Sequence, residues 1–214
     1  AKPFDLLSIG ENLASRSDPD PLKSTLMQEL DRYNNLIVAV KEELKNVQLG
    51  VQGLVVINTE LEKVYDALLV AKVPGSWSFC YPSLKGLGSW INDLRARLDQ
   101  MRQWATVKLP NAFWLTGFTY PTGFLTALLQ TTARKNGVSI DSIAFEFPII
   151  NQDPLKLTQP PKDGAYIYGL FIEGARWDHE AGTLADALPM KLVSNMPPIH
   201  FKPVEVKRKA PKGM

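Results

Sequence analysis

The sequence predicts an α+β protein: an antiparallel helical layer with one long helix, followed by a small antiparallel, β-barrel-like part that is incomplete at the C-terminus. Three observations predict it. Apolar residues recur at helical intervals over roughly the first 135 positions and alternate in short runs after Val138. The 16 prolines gather at joints and in the second half. Residues 164–178, GAYIYGLFIEGARWD, are apolar on both alternating faces, with Ala165, Ile167 and Phe171 on one and Tyr166, Tyr168, Leu170 and Ile172 on the other. That pattern predicts a strand buried on two sides, and Gly169 and Gly174 within it predict bulges or barrel corners. The expected division is a lead-in over 1–20, a helical part over 21–137 and a β-rich part over 138–214.

Residues 1–19 lack sustained periodicity and are expected to lead in from a preceding domain. Asp20 and Pro21 suit a helix start, as cap and first helical residue. Leu22, Leu26, Leu30, Tyr33, Ile37, Val40, Leu44, Val47, Val51 and Leu54 then alternate in steps of four and three. This is a heptad seam of about 33 residues, or ~50 Å of helix. Leu36, Val38 and Ala39 widen the stripe, which favours packing on other helices over a two-stranded coiled coil. Asn58 and Thr59 predict a cap for a second helix over 60–71, and Pro82 and Ser83 open a third carrying Leu84, Leu87, Ile91, Leu94, Leu98 and Met101. Glu60, Lys63, Arg95, Arg97 and Asp99 are expected on solvated faces. A joint rich in aromatics and proline (108–123) precedes a short helix over 124–136 that stops at Gly137. Extended segments are expected at 139–150, 155–157, 165–174, 191–193 and 199–206.

A net charge of +2 with 21% charged residues offers no global attraction to nucleic acid or anionic lipid. No apolar run approaches the ~20 residues of a membrane span. A single cysteine, Cys80, excludes an intrachain disulfide and fits a reducing compartment. The glycine pairs 164/169 and 169/174 have the outer spacing of a phosphate loop, but Leu170 and Ala175 stand where its lysine must be. His179 and His200 lie in different segments, so no metal-ligand spacing arises. Asp178 and Glu180 read as turn residues, Cys80 as a core or loop thiol, and Phe113, Trp114, Phe118, Tyr120 and Phe124 as packing rather than base-stacking groups. The basic tail from Lys202 to Lys212 reads as a solvated loop. No catalytic, cofactor or metal site is expected.

Residues 166–178, Tyr-Ile-Tyr-Gly-Leu-Phe-Ile-Glu-Gly-Ala-Arg-Trp-Asp, resemble the signature of the C-terminal domain of dynein heavy chains. Tyr166, Gly169, Gly174, Arg176, Trp177 and Asp178 are its structural positions. Three upstream stretches agree in order and spacing: Gly53-Leu54-Val55-Val56; Tyr81-Pro82-Ser83-Leu84-Lys85 with Trp90; and Phe113-Trp114-Leu115-Thr116-Gly117-Phe118 with Phe124-Leu125-Thr126. The resemblance extends over almost the whole sequence and is closer to axonemal than to cytoplasmic heavy chains. It implies a non-catalytic domain that lies on the AAA+ ring of an ATP-driven microtubule motor, braces it and tunes its output. ATP and Mg would belong to the AAA+ modules of the parent. Partners would be those modules, other dynein subunits and microtubules, with no nucleic acid and no membrane, in the cytoskeleton of the cytoplasm and of the ciliary or flagellar axoneme. Family members continue past the segment matching 199–203 with strands that complete a barrel, so this chain is expected to be part of a larger one.

Two other readings use the same residues: an independent helical scaffold that binds a partner through its heptad helix, and a small enzyme with an unseen site. Geometry adds one expectation. A second helix of ~12 residues covers only ~18 Å of the long helix. Leu22, Leu26, Leu30 and Tyr33 are therefore expected to stay exposed for docking on the ring, with Val40 to Leu54 packed inside.

Overall fold

The computed structural model describes residues 1–15 and 20–206. The basic tail beyond 206 and the cap expected from the Asp20 carboxylate lie outside what is described. Among the described residues there are five α-helices, α1 (Leu6–Ala14), α2 (Asp20–Val51), α3 (Thr59–Leu69), α4 (Leu87–Thr106) and α5 (Pro121–Asn136). The strands are β1 (Ala112–Trp114), β2 (Ile143–Glu146), β3 (Ala165–Tyr168), β4 (Phe171–Glu173), β5 (Ala175–Asp178), β6 (Thr183–Asp186), β7 (Val193–Asn195) and β8 (Ile199–Glu205). Two compact units result. One holds residues 1–16 and 26–106, the other 17–25 and 107–214.

In the helical unit, the expected lead-in contains a helix. Asp5 caps α1 by accepting a hydrogen bond from the Ser8 N–H at 3.2 Å, and Ile9 and Leu13 bury its apolar face. Asn34 clamps the preceding residue from α2: its Oδ1 accepts from Phe4 N at 2.6 Å and its Nδ2 donates to Phe4 O at 2.8 Å. The cap expected at Asn58 forms, its side-chain oxygen accepting from Leu61 N at 2.9 Å. Helix α4 starts later than expected, at Leu87, leaving Leu84 fully exposed in the preceding loop.

The long helix reverses the expected burial. Leu22, Leu26, Leu30 and Tyr33 are at most 3% exposed, and Leu36 and Ile37 are buried with them. Toward the other end Leu44, Val51 and Leu54 are exposed. The expectation that the first half waits for a ring is therefore overturned. Helices α3 and α4 are not the whole cover available to α2, because the segment bearing α1 is clamped to it at Asn34.

The β-rich unit resumes at Val107, not after Gly137, because α5 packs on β2 and β8. Its main sheet has the order β1-β3-β8-β2. β1 runs parallel to β3, with Phe113 opposite Ile167, and β8 is antiparallel to both β3 and β2. Two antiparallel pairs, β4–β7 and β5–β6, complete the described strands, among which no closed barrel forms. A 3-10 turn over Pro154–Lys156 replaces the short strand expected at 155–157, its amides being used locally, with Lys156 N donating to Asp153 O and Leu157 N to Pro154 O.

The stretch expected as one doubly buried strand is three short ones. Gly169 and Gly174 take φ of 79° and 71°, a left-handed backbone that turns the polypeptide twice. Ala165 and Ile167 are buried, Tyr166 and Tyr168 half-buried, and Phe171 beyond the first corner is exposed. Gly169 is also a close approach: a Cβ there would fall 2.2 Å from Cδ1 of half-buried Trp114. Beside it, Phe118 stacks on Phe124 with ring centroids 4.3 Å apart, and Phe113 lies 4.7 Å from Phe124. All three phenylalanines are buried and form a core, whereas Tyr120, expected to pack with them, is exposed.

Two substitutions test this packing. Phe118→Ala is expected to cost ~3–5 kcal/mol in chemical denaturation, the range for emptying an aromatic core site. Gly169→Ala adds one methyl group yet is expected to lower the melting temperature by several degrees, because it meets both the indole and a positive φ. An unchanged melting point would mean that the corner relaxes freely.

Candidate functional site

The signature segment turns out to be a hairpin corner whose polar groups are used to hold backbone. Asp178 ends β5, and its Oδ1 accepts from Glu180 N at 3.0 Å and Ala181 N at 3.1 Å, closing the turn to β6. Those two backbone N–H groups, with Arg176 3.2 Å away, hold its carboxyl below the ordinary aspartate value. Trp177 faces Leu184 across the hairpin. Tyr166 faces His200 between β3 and β8, with the rings edge-on at 5.1 Å. The histidines are occupied as well: Nδ1 of His179 pairs with Asn151 Oδ1 at 2.7 Å, and Nε2 of His200 meets Asp163 O at 2.8 Å. The segment brings Arg176, Trp177 and Asp178 together at one end of the hairpin and leaves Tyr166 on a separate sheet. These contacts shape a corner. They set no nucleophile beside a base.

A second polar cluster, unforeseen in the sequence, lies inside the helical unit. Arg97 is only 8% exposed, although its sequence context predicts a solvated face. Its Nε donates to Asp93 Oδ2 at 2.7 Å, and Lys85 donates to the other carboxylate oxygen. The guanidinium lies 4.0 Å over the Tyr81 ring and shares a hydrogen bond with Tyr33. Tyr81 stacks on Trp90, and Trp90 packs against Trp77, whose Nε1 donates to Glu43 Oε2 at 2.7 Å. Residues of α2, of the loop after α3 and of α4 are thus tied into one network. The buried face of α4 runs Trp90, Asp93, Arg97, Met101, Trp104, at steps of three and four. A signal was present: an Asp–Arg pair at i,i+4 inside an aromatic stripe. Counting only aliphatic positions rotated the face and missed it.

The charges follow this environment. Burial works against a charge on Asp93, but hydrogen bonds from Lys85 and Arg97 outweigh it and hold the carboxyl below its usual value. Burial pushes the Tyr33 and Tyr81 phenols up, so both stay protonated. It also raises the Cys80 thiol to about 12, with help from Glu29. At neutral pH that thiol is a poor nucleophile. Its contact, a long 3.8 Å approach to Arg32 O, is that of a packing group. Within the cluster Asp93 and Arg97 are buried and ion-paired.

With these residues placed, the comparisons with known proteins are direct. The family model for the C-terminal domain of the dynein heavy chain matches residues 2–213, and the protein belongs to that family. It is 48% identical over 213 residues to the dynein-1-beta heavy chain, flagellar inner arm I1 complex, of Chlamydomonas reinhardtii, a match that takes in 100% of this sequence and 5% of that one. It is 46% identical over 198 residues to human dynein axonemal heavy chain 2, which takes in 92% of this sequence and 4% of that one. With human dynein axonemal heavy chain 12 the identity is 41% over 190 residues, or 88% and 6% of the two sequences. The 214 residues thus span about one-twentieth of the length of these relatives.

The network carries a prediction about acid. A carboxyl held below its unfolded value contributes stability above that value and loses it as pH falls through the folded one. Asp93→Asn is expected to cost ~3–5 kcal/mol at pH 7, since it leaves Arg97 buried with its ion pair broken. The gap between wild type and variant should narrow as pH drops below the ordinary aspartate range. Urea titrations of both proteins at pH 7 and pH 3 check it, and a gap independent of pH would assign Asp93 a role in packing alone.

Proposed function

We propose that this protein is a non-catalytic domain of an axonemal dynein heavy chain, packing on the AAA+ ring of its own heavy chain and tuning motor output in ciliary or flagellar motility. The observation that carries the reading is the family match across residues 2–213, with relatives named as axonemal and flagellar heavy chains. On this reading ATP and Mg belong to the AAA+ modules of the parent. The domain meets microtubules and other dynein subunits only through that parent, in the axonemal cytoskeleton.

The polar side chains support a bracing role. Asp178, His179 and His200 are committed to backbone or to Asn151, and Asp93 and Arg97 to each other. Leu170 and Ala175 occupy the positions where a phosphate-binding lysine would follow either glycine pair. A free-standing scaffold that binds through the heptad helix has less support, because the first half of that seam is already buried.

The test has two readouts. Calorimetric titration of ATP into the 214-residue protein is expected to show no binding heat, and micromolar binding would overturn the non-catalytic assignment. In the whole heavy chain, loosening the domain should change microtubule gliding velocity while ATP hydrolysis persists. Unchanged gliding would remove the tuning role.

A further inference from the structure

Four stretches carry the family resemblance, and three of them plant side chains in a core: Tyr81 and Trp90; Phe113, Phe118 and Phe124; and Ile167. The fourth, residues 53–56, plants none. Leu54 and Val56 are 69% and 89% exposed, and Val51, Val55 and Ile57 beside them are exposed as well. This stretch joins α2 to α3 and is firmly built. Leu54 N donates to Leu49 O and Gly53 N to Gly50 O, each at 2.9 Å, with Gly53 at φ 71°. These are the paired bonds of a Schellman cap, which ends α2 in a fixed direction. The Asn58 cap starts α3 directly afterwards. Hydrogen-bonded backbone at both ends thus fixes a row of branched apolar side chains, with Val51, Leu54 and Val56 the most exposed and Ile57 lying back against Gly50.

The same turn borders a groove of about 650 Å³, with Val55, Val56, Leu61 and Val64 among its apolar lining and Glu43 and Asn46 among its polar lining. Contiguous exposed apolar surface beside a groove marks an interaction site. The size of the tip argues for a particular occupant. Its five exposed side chains fall far short of the roughly 20–30 residues per side of a free-standing interface. A partner joined through the same polypeptide needs much less, because tethering supplies an effective concentration on the order of millimolar. The relatives offer such a partner, since the matched domain is about one-twentieth of each heavy chain.

We infer that the α2–α3 turn, through Val51, Leu54, Val55, Val56 and Ile57, is the face by which this domain docks on an apolar surface of the rest of its own heavy chain. The inference rests on the proposed packing of the domain against that parent and names the face. That face is at the far end of α2 from the residues the sequence suggested.

The experiment places a photo-cross-linking amino acid at Val56 in the intact heavy chain, and separately at Met190. Both positions are outside the core, at 89% and 106% exposure, so the fold is kept. The Val56 probe is expected to join peptides of the same heavy chain outside the 214 residues, and Leu54→Asp should cut that yield at least tenfold. Cross-links from Val56 to a second copy or to another protein, or solvent-quenched probe alone, would overturn the assignment. If Val56 is silent while Met190 captures the rest of the heavy chain, the face is wrong and the packing stands. If both are silent, the packing reading falls with it.

Discussion

A guanidinium that is only 8% exposed must be paired on every side, and in the helical unit that requirement organises three segments at once. Arg97 takes Asp93 from its own helix, Tyr33 from α2 and the face of Tyr81 from the loop after α3. Each partner is stationed by its own packing: Tyr81 by Trp90, Trp90 by Trp77, and Trp77 by Glu43. An aliphatic cluster of similar volume could give comparable stability, since desolvation offsets much of the attraction of a buried ion pair. It would tolerate several registers of one helix against another. The Arg97 cluster accepts one, because a shift of one turn would strand a charge.

The β-rich unit reaches definition by another route. Its strands are three to seven residues long, too short to set their course by pairing alone. Corners supply the direction. Gly169 turns the backbone against the Trp114 indole, Gly174 turns it again, and Asp178 closes the following hairpin by accepting two backbone N–H groups. The family signature is therefore a specification of turns with one buried strand before them. This explains why it is dense in Gly, Trp and Asp yet assembles no reactive pair.

The domain is about one-twentieth of its relatives' length, and on the proposed packing it has two kinds of surface to specify, one facing water and one facing its parent. The α2–α3 turn is distinguished by its backbone: a Schellman cap and an Asn cap fix apolar side chains of which Val51, Leu54 and Val56 stay largely exposed. On the proposed docking, the two caps preorganise Val51 and Val56 for a matching apolar surface.

Much was legible in the residues themselves. The 4-3 spacing placed α2, Asn58 marked the start of α3, Gly137 marked the end of α5, and the aromatic joint announced a core. These follow from local rules, because periodicity and capping act within a few residues. The resemblance at 166–178 was equally local. What the tertiary structure alone decided is which part of each apolar stripe is covered. Leu22, Leu26, Leu30 and Tyr33 are buried and Leu44, Val51 and Leu54 open, the reverse of an estimate made from helix lengths. The same holds for Arg97, whose sequence neighbours suggested solvent and whose spatial neighbours are Tyr33, Tyr81 and Asp93. Periodicity says that a face is apolar. Only long-range packing, brought about by segments distant in sequence, says what lies against it, and so whether a charge on that face meets water or a partner.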